Sequence, residues 1–347
     1  MLRSISRFLS PLLIGAMALM SGCGLVTEDV EPCTMTYQLK FKYDYNILEA
    51  DAFNRQVHSV NVWAFDSQGR LAWTGSESGK ALESPDYVMK AELAPGRYDF
   101  LAWCGFSTGD PFKLATYTPS SIEELKVTLA TLGDGDGKLY VDSELPGLFH
   151  GLLEDVTLIS SETEHVVQTV TLPLMKDTKT VRLMLQHLDG SPIEQRDFSV
   201  TITDNNQNLD WNNDVMDGPW FDYRPWYVNY GQVTMPEGSR TDASGRAITS
   251  VASLLFEMST SRLRAGHNTV LTVHRNWDDR DIIRIPLIDY LLLVKGHYNE
   301  RYSDQEYLDR MDEFNLVFFI DADSNWYTAA GIMINNWTIV PPQDTEM

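Results

Sequence analysis

From Met35 to Tyr43 the chain alternates apolar with polar residues: Met35, Tyr37, Leu39, Phe41 and Tyr43 against Thr36, Gln38, Lys40 and Lys42. A period of two puts each set on its own face of an extended strand, so the chain is predicted to enter its first domain as a strand with one buried face. Val57 to Asp66 repeats this character, and the turn Asp66-Ser-Gln-Gly69 leads into Arg70 to Thr74, which predicts a hairpin. Pro95-Gly96 launches a further strand from Arg97 to Trp103. Asp155 to Ile159 and Val166 to Leu174 close the first half, and the polar link Lys176-Asp-Thr-Lys179 is read as the boundary between two domains.

The second half begins again with alternating strands at Thr180 to His187 and Phe198 to Thr203, followed by Ala247 to Met258 and Thr269 to His274. Pro286 opens a buried helix over Leu287 to Val294 that Gly296 stops, and Ser303 with Glu306 forms a capping box for a helical turn through Arg310. Phe314 to Ile320 and Ile332 to Val340 are the last strands, halted by Pro341 and Pro342. Many short strands, closely spaced turns and little helix predict an all-β protein of two tandem antiparallel β-sandwich domains, residues 34–175 and 176–347.

The N-terminus follows a different pattern. Arg3 and Arg7 precede an apolar run from Phe8 to Met20 that is too short to span a bilayer and ends in Ser21-Gly22-Cys23. Residues 1–22 therefore read as an export signal. A cysteine just after two small residues is similar to the bacterial lipobox, which implies a lipid on Cys23 and a tether over residues 23–33; an ordinary cleaved signal with a chance cysteine is the alternative. No later apolar run is long enough for a membrane helix, so that lipid is the expected membrane attachment.

The chain has three cysteines. With Cys23 acylated, Cys33 and Cys104 remain, and an even remainder in an oxidising compartment suggests one disulfide, worth about 4 kcal/mol for a loop of roughly 70 residues. Two unpaired buried thiols remain the other reading. The 27 basic and 49 acidic residues give a net charge of −22. Clustered cations that could neutralise phosphates are absent, so nucleic acid is not an expected partner.

Little in the sequence speaks for chemistry. Gly133-Asp-Gly-Asp-Gly137 lacks both the twelfth-position glutamate of a calcium loop, where Leu145 stands, and the Gly-Lys-Ser/Thr of a phosphate loop. The seven histidines show no metal-binding spacing, and neither CxxC nor GxSxG occurs. No cofactor, metal or catalytic residue is assigned. One concentration of residues stands apart: Trp211, Trp220, Phe221, Tyr223, Trp226, Tyr227 and Tyr230 interleave with Asp210, Asn212, Asn213, Asp214, Asp217 and Asp222. Aromatic faces beside amides and carboxylates suit a glycan platform built on Trp211, Trp220, Tyr223, Trp226 and Tyr227; a loop pinned over its own sandwich, or a protein contact surface, would use the same residues.

Several stretches together resemble the FimB-type fimbrial anchor family of Bacteroidales, part of the type V pilus system. They are Glu31-Pro-Cys-Thr-Met-Thr-Tyr-Gln-Leu-Lys-Phe-Lys-Tyr-Asp-Tyr-Asn46, Val60 to Asp66, Leu93-Ala-Pro-Gly-Arg-Tyr-Asp-Phe-Leu-Ala-Trp-Cys-Gly105, Leu185-Gln-His-Leu-Asp-Gly190, Thr201-Ile-Thr-Asp204 and Arg224-Pro-Trp-Tyr227. The end carries most of it: Ser303-Asp-Gln-Glu-Tyr-Leu-Asp-Arg310, Asp312 to Ile320 and Ile332-Met-Ile-Asn-Asn-Trp-Thr-Ile-Val340. The resemblance implies transthyretin-like sandwiches, export as an outer-membrane lipoprotein at the cell surface, and attachment of a fimbrial shaft subunit by strand exchange. Shaft and tip relatives lose their N-terminal strand and lipid to a protease that cuts after arginine. Here the only arginine between Cys23 and Gly69 is Arg55. If Arg55 stays uncut, the resemblance implies an anchor; a tip adhesin or glycan-binding lipoprotein using residues 211–230 is the alternative.

Overall fold

A computed structural model describes residues 35–106, 109–161, 166–187, 189, 191–234 and 250–340. The expected signal 1–22, the tether 23–33, Cys23, Cys33 and the prolines at 341–342 lie outside the described residues. The alternation at the start of the first domain becomes β1 (Thr36–Lys42), whose inward residues Tyr37, Leu39 and Phe41 are buried, as is Tyr43 just beyond it. The hairpin forms as β2 (Ser59–Asp66) and β3 (Leu71–Ser78), followed by β4 (Met89–Ala91) and β5 (Gly96–Cys104). Four short strands come next: β6 (Phe112–Leu114), β7 (Val127–Leu129), β8 (Leu132–Gly133) and β9 (Leu139–Val141). The first half ends with β10 (Phe149–Leu158), β11 (Val167–Pro173) and β12 (Met175–Lys176).

Two sheets of orders β11-β1-β4 and β12-β10-β5-β2-β3 make the first sandwich. Its core joins Leu39, Phe41 and Tyr43 to Val60, Val62, Phe100 and Ala102. β2 and β5 are nearly continuous apolar runs because both their faces are covered. Trp63, Phe65, Leu101 and Trp103 point the other way, into a second core that continues through Phe112, Leu125 and Val127 to the C-terminal half. The indoles find partners there: Trp63 Nε1 donates to Tyr117 O and Trp103 Nε1 to Leu125 O, each at 3.0 Å. Gly105 closes this strand with φ +92, where a Cβ would meet Gly147 O at 1.6 Å, so no other residue fits.

The second half contains β13 (Lys179–His187), β14 (Phe198–Asp204), β15 (Asn208–Leu209), β16 (Val215–Met216), β17 (Phe221–Tyr223), β18 (Tyr227–Thr234), β19 (Ser250–Thr260), β20 (Val270–Arg275) and β21 (Arg280–Pro286). β22 (Glu313–Ile320), β23 (Ile332–Ile334) and β24 (Trp337–Ile339) complete it. Sheets of orders β18-β19-β13-β22-β23-β24 and β21-β20-β14-β17-β9-β8 face each other. β8 and β9, from the first half of the chain, complete the second of these, and β7 pairs with β15, so the sheets cross the 175/176 division expected from sequence. The helices are α1 (Phe53–Gln56), α2 (Leu287–Leu292) and α3 (Asp304–Arg310); Ser303 accepts the Glu306 N–H as the capping box requires.

Two details depart from the sequence reading. The sandwiches are mixed rather than purely antiparallel, because β1 runs parallel to β11 and β13 parallel to β22. Alternation fixes which face a residue occupies and carries no information about a neighbour's direction. The single strand expected from Ile332 to Val340 is a hairpin: Asn335 and Asn336 have φ of 46 and 73, the pair of left-handed residues that a two-residue turn requires.

Candidate functional site

β1 is the middle strand of its sheet, parallel to β11 along its whole length and antiparallel to β4. It is the first described element after the expected tether, so any pull on the N-terminus passes through it. Arg55 lies beyond it, exposed, but on α1 rather than in an extended loop. Asp51 Oδ1 accepts the N–H groups of Tyr43 and Phe53, each at 3.0 Å, which ties the turn to the end of β1. Phe53 is buried and stacks on Phe41 and Tyr87, at 5.4 and 6.3 Å between ring centres.

The expected polar link is buried. Asp177, Thr178 and Lys179 are at most 4% exposed. Asn213 Nδ2 donates to Asp177 Oδ1 at 2.8 Å, and Lys179 Nζ donates to the carbonyls of Lys176 and Asp309 at 3.0 and 2.6 Å. Arg262 forks onto both oxygens of Asp309, at 2.9 and 2.8 Å, and also donates to Asn213 O. Burial pushes the Asp177 carboxyl up to about 7, against the pull of Arg262, and brings the Lys179 ammonium down to about 8. Tyr43 OH donates to Asp312 Oδ1 at 2.6 Å, with burial first and then the neighbouring carboxylate driving its hydroxyl upward. The first sandwich is thereby bonded to the second through buried and partly buried polar groups. Sequence reading missed this cluster; its one local signal is four polar residues between two strands, the same signal that an exposed linker gives.

The aromatic segment is divided by the fold. Tyr223 is fully buried, donates to Asn206 Oδ1 at 2.7 Å and accepts the Ser261 N–H at 3.1 Å. Trp211 is half-buried against the core, and its carbonyl oxygen bonds His150 Nε2 at 2.8 Å. Trp226 is half-buried beside Tyr227, which is exposed on β18 with Tyr230. Trp220 is 50% exposed and stacks on His267 at 5.7 Å and 7°. Of the five candidate platform residues, Trp220 and Tyr227 are thus the ones that present rings to solvent.

Cys104 is a free, fully buried thiol among the described residues, and burial pushes its pKa up. Among the described residues no three metal-ligating side chains converge, and no helix is long and apolar enough to cross a membrane.

The sequence profile of the fimbrillin-A associated anchor proteins Mfa1 and Mfa2 matches residues 29–341. The chain belongs to this family. It is therefore a fimbria-associated protein, as the resemblance implied. Among solved structures, it is similar to a candidate adhesin of Bacteroides thetaiotaomicron, with 31% identity over 90% of this chain and 99% of that one, at a TM-score of 0.75. A candidate polysaccharide-binding protein of the same organism is 29% identical over 89% and 99% of the two chains, with a TM-score of 0.72. The fimbrial anchor protein Mfa2 of Porphyromonas gingivalis shares the fold at 17% identity, covering 89% and 100%, with a TM-score of 0.60. No curated protein matches the sequence.

Proposed function

We propose that this protein is the lipid-anchored base of a fimbria, held to the outer membrane through Cys23 and joined to a shaft subunit by β-strand complementation. The observation that carries the reading is the place of Arg55: it is the one arginine between Cys23 and Gly69, and it stands on the α1 turn tied down by Asp51 and Phe53. A cut after Arg55 would release the middle strand of a sheet and expose Tyr37, Leu39, Phe41 and Tyr43, at about 1.5–3 kcal/mol of lost burial for each large apolar side chain. The α1 turn that holds Arg55 favours an uncut chain, and an uncut chain keeps its lipid. The role is mechanical, with no catalytic residue in it. Mass spectrometry of the mature N-terminus in cells fed a palmitate analogue tests the reading. An acylated peptide beginning at Cys23 supports it, and a chain beginning at Gln56 sinks it.

The exposed Trp220, stacked on His267, favours one second reading. One ring face is backed by imidazole and the other is open, which suits stacking on a sugar. A tip adhesin or glycan-binding lipoprotein would use Trp220 with Tyr227.

A further inference from the structure

β14 is fully paired on one side only. β20 accompanies it from Phe198 to Thr203, whereas β17 covers only Ile202 to Asp204 on the other side. After Tyr223 the chain leaves this sheet: the Trp226 N–H donates to Glu257 O, and β18 pairs with β19 in the opposite sheet. Asn276 N–H donates to Asp197 O, so antiparallel alternation directs the backbone of Ser199 and Thr201 toward β20. It turns the N–H and C=O of Val200 the other way, to the side where β17 has ended. Among the described residues no backbone group meets them there.

A cavity of about 640 Å³ runs along this open edge, with Phe198 to Thr201 as consecutive lining residues. Val228 and Phe256 of the opposite sheet line its apolar side. Lys138, Arg224 and Arg284 stand at its polar side with Asp222 and Asp281. Lys138 pairs with Asp222 and Arg224 with Asp134. Arg284 is exposed, and among the described residues its guanidinium has only Thr272 Oγ1, at 3.4 Å. An unpaired backbone edge beside an apolar wall is a template for one more strand. The lining aromatics Phe198 and Phe256 are buried, so the cavity lacks the exposed ring on which a sugar would stack.

We propose that this edge receives an extended segment of a neighbouring fimbrial subunit. Its backbone pairs with Phe198–Thr201, and its side chains alternate between apolar groups against Val228 and Phe256 and acidic groups reaching Arg284. The inference rests on the fimbrial reading above and names the surface at which the neighbour engages. It is tested in cells assembling fimbriae, with the full chain carrying p-benzoylphenylalanine in place of exposed Ser199, or of exposed Ser67 as a remote control. The expected result is a Ser199 crosslink to one contiguous segment of another fimbrial subunit, at least about tenfold over the Ser67 control and reduced about tenfold by Arg284→Glu. A crosslink that stays within this chain, residues 235–249 included, overturns the slot. So does the lack of a crosslink when the chain co-purifies with fimbriae, and both results leave the fimbrial reading standing. A chain absent from purified fimbriae overturns that reading and the slot with it. Urea midpoints of the substituted chains, expected to match the unsubstituted protein, confirm that each is folded.

Discussion

Tyr43 gives its phenolic hydrogen to Asp312 Oδ1 at 2.6 Å, joining the end of β1 to the residue that precedes β22. The two are 269 positions apart and belong to different sandwiches. Force arriving at β1 thus reaches the second domain without passing through every strand between. Lys176 lies 3.7 Å from the other carboxylate oxygen and holds it on its second side.

Tyr43→Phe keeps the ring in its buried place and deletes that bond. A hydrogen bond to a charged acceptor contributes about 1.5–3 kcal/mol, so the variant is expected to lose about 2 kcal/mol in urea unfolding. An unchanged midpoint would show that the junction is held by the other groups alone.

Asp177 gives a pH signature. Its folded pKa, raised to about 7 by burial, lies above the unfolded value, so its contribution is complete at low pH and is lost as pH rises toward and through about 7. Lys179, lowered to about 8, begins to lose its charge in the fold only at the top of that range, and it is present in both proteins compared. Asp177→Asn is expected to gain stability relative to the natural chain as pH rises from 5 to 8, with Asn213 still donating to the new amide oxygen. Parallel urea curves at pH 5 and pH 8 for both proteins check this, and a constant offset between them would refute it.

His150 acts at the acid end. Burial, opposed by the bond to Trp211 O, brings it down to about 4, so the neutral ring is the folded form. Its contribution is present above the unfolded value near 6.5 and is lost as pH falls through about 4, at ~1.4 kcal/mol for each pH unit between those two values. His150→Phe should flatten the stability profile between pH 6 and pH 4 while lowering stability at pH 7 through the lost bond. Thermal melts across that range measure both effects.

Phe53 anchors the α1 turn that carries the Arg55-Gln56 bond. Phe53→Ala removes the ring that anchors α1, at a cost of about 3–5 kcal/mol for a buried phenylalanine. Trypsin should then nick after Arg55 much faster than in the natural chain, as timed digestion with mass readout would show. Equal rates would mean that some other feature protects the site.

Trp220→Ala separates the two functional readings. If Trp220 serves a glycan, the natural chain binds on a glycan array and the variant loses about two- to tenfold, since a stacked aromatic pair is worth about 0.5–1.5 kcal/mol beyond its buried area. Trp226→Ala, at a half-buried ring, should alter stability more than binding. No binding by the natural chain would remove the support for the glycan reading.

How legible was this protein in its sequence? β1, β2, β5, β13 and β22 follow directly from alternation or apolar runs, because strand periodicity is a local property that each residue shares with its neighbours two positions away. The capping box at Ser303 was legible for the same reason. Asn335-Asn336 reads as part of a strand although the pair is itself a turn signal, because the apolar residues on both sides mask it.

Most of the candidate site was not legible. The aromatic cluster at 211–230 looks continuous in sequence, yet the fold sends Tyr223 inward and leaves Trp220 and Tyr227 outside, because the chain crosses from one sheet to the other at Arg224-Pro225. Likewise, the open edge at Val200 exists only because β17 stops short of it.

By itself, then, the sequence determined the main strands, the all-β class and the family. Tertiary structure alone decided that Asp177-Thr-Lys179 is a buried joint. Burial of Asp177 and Lys179 depends on Asn213, Arg262 and Asp309, which come from distant parts of the chain. Charges so far apart in sequence compensate one another's desolvation only after folding has brought them into contact.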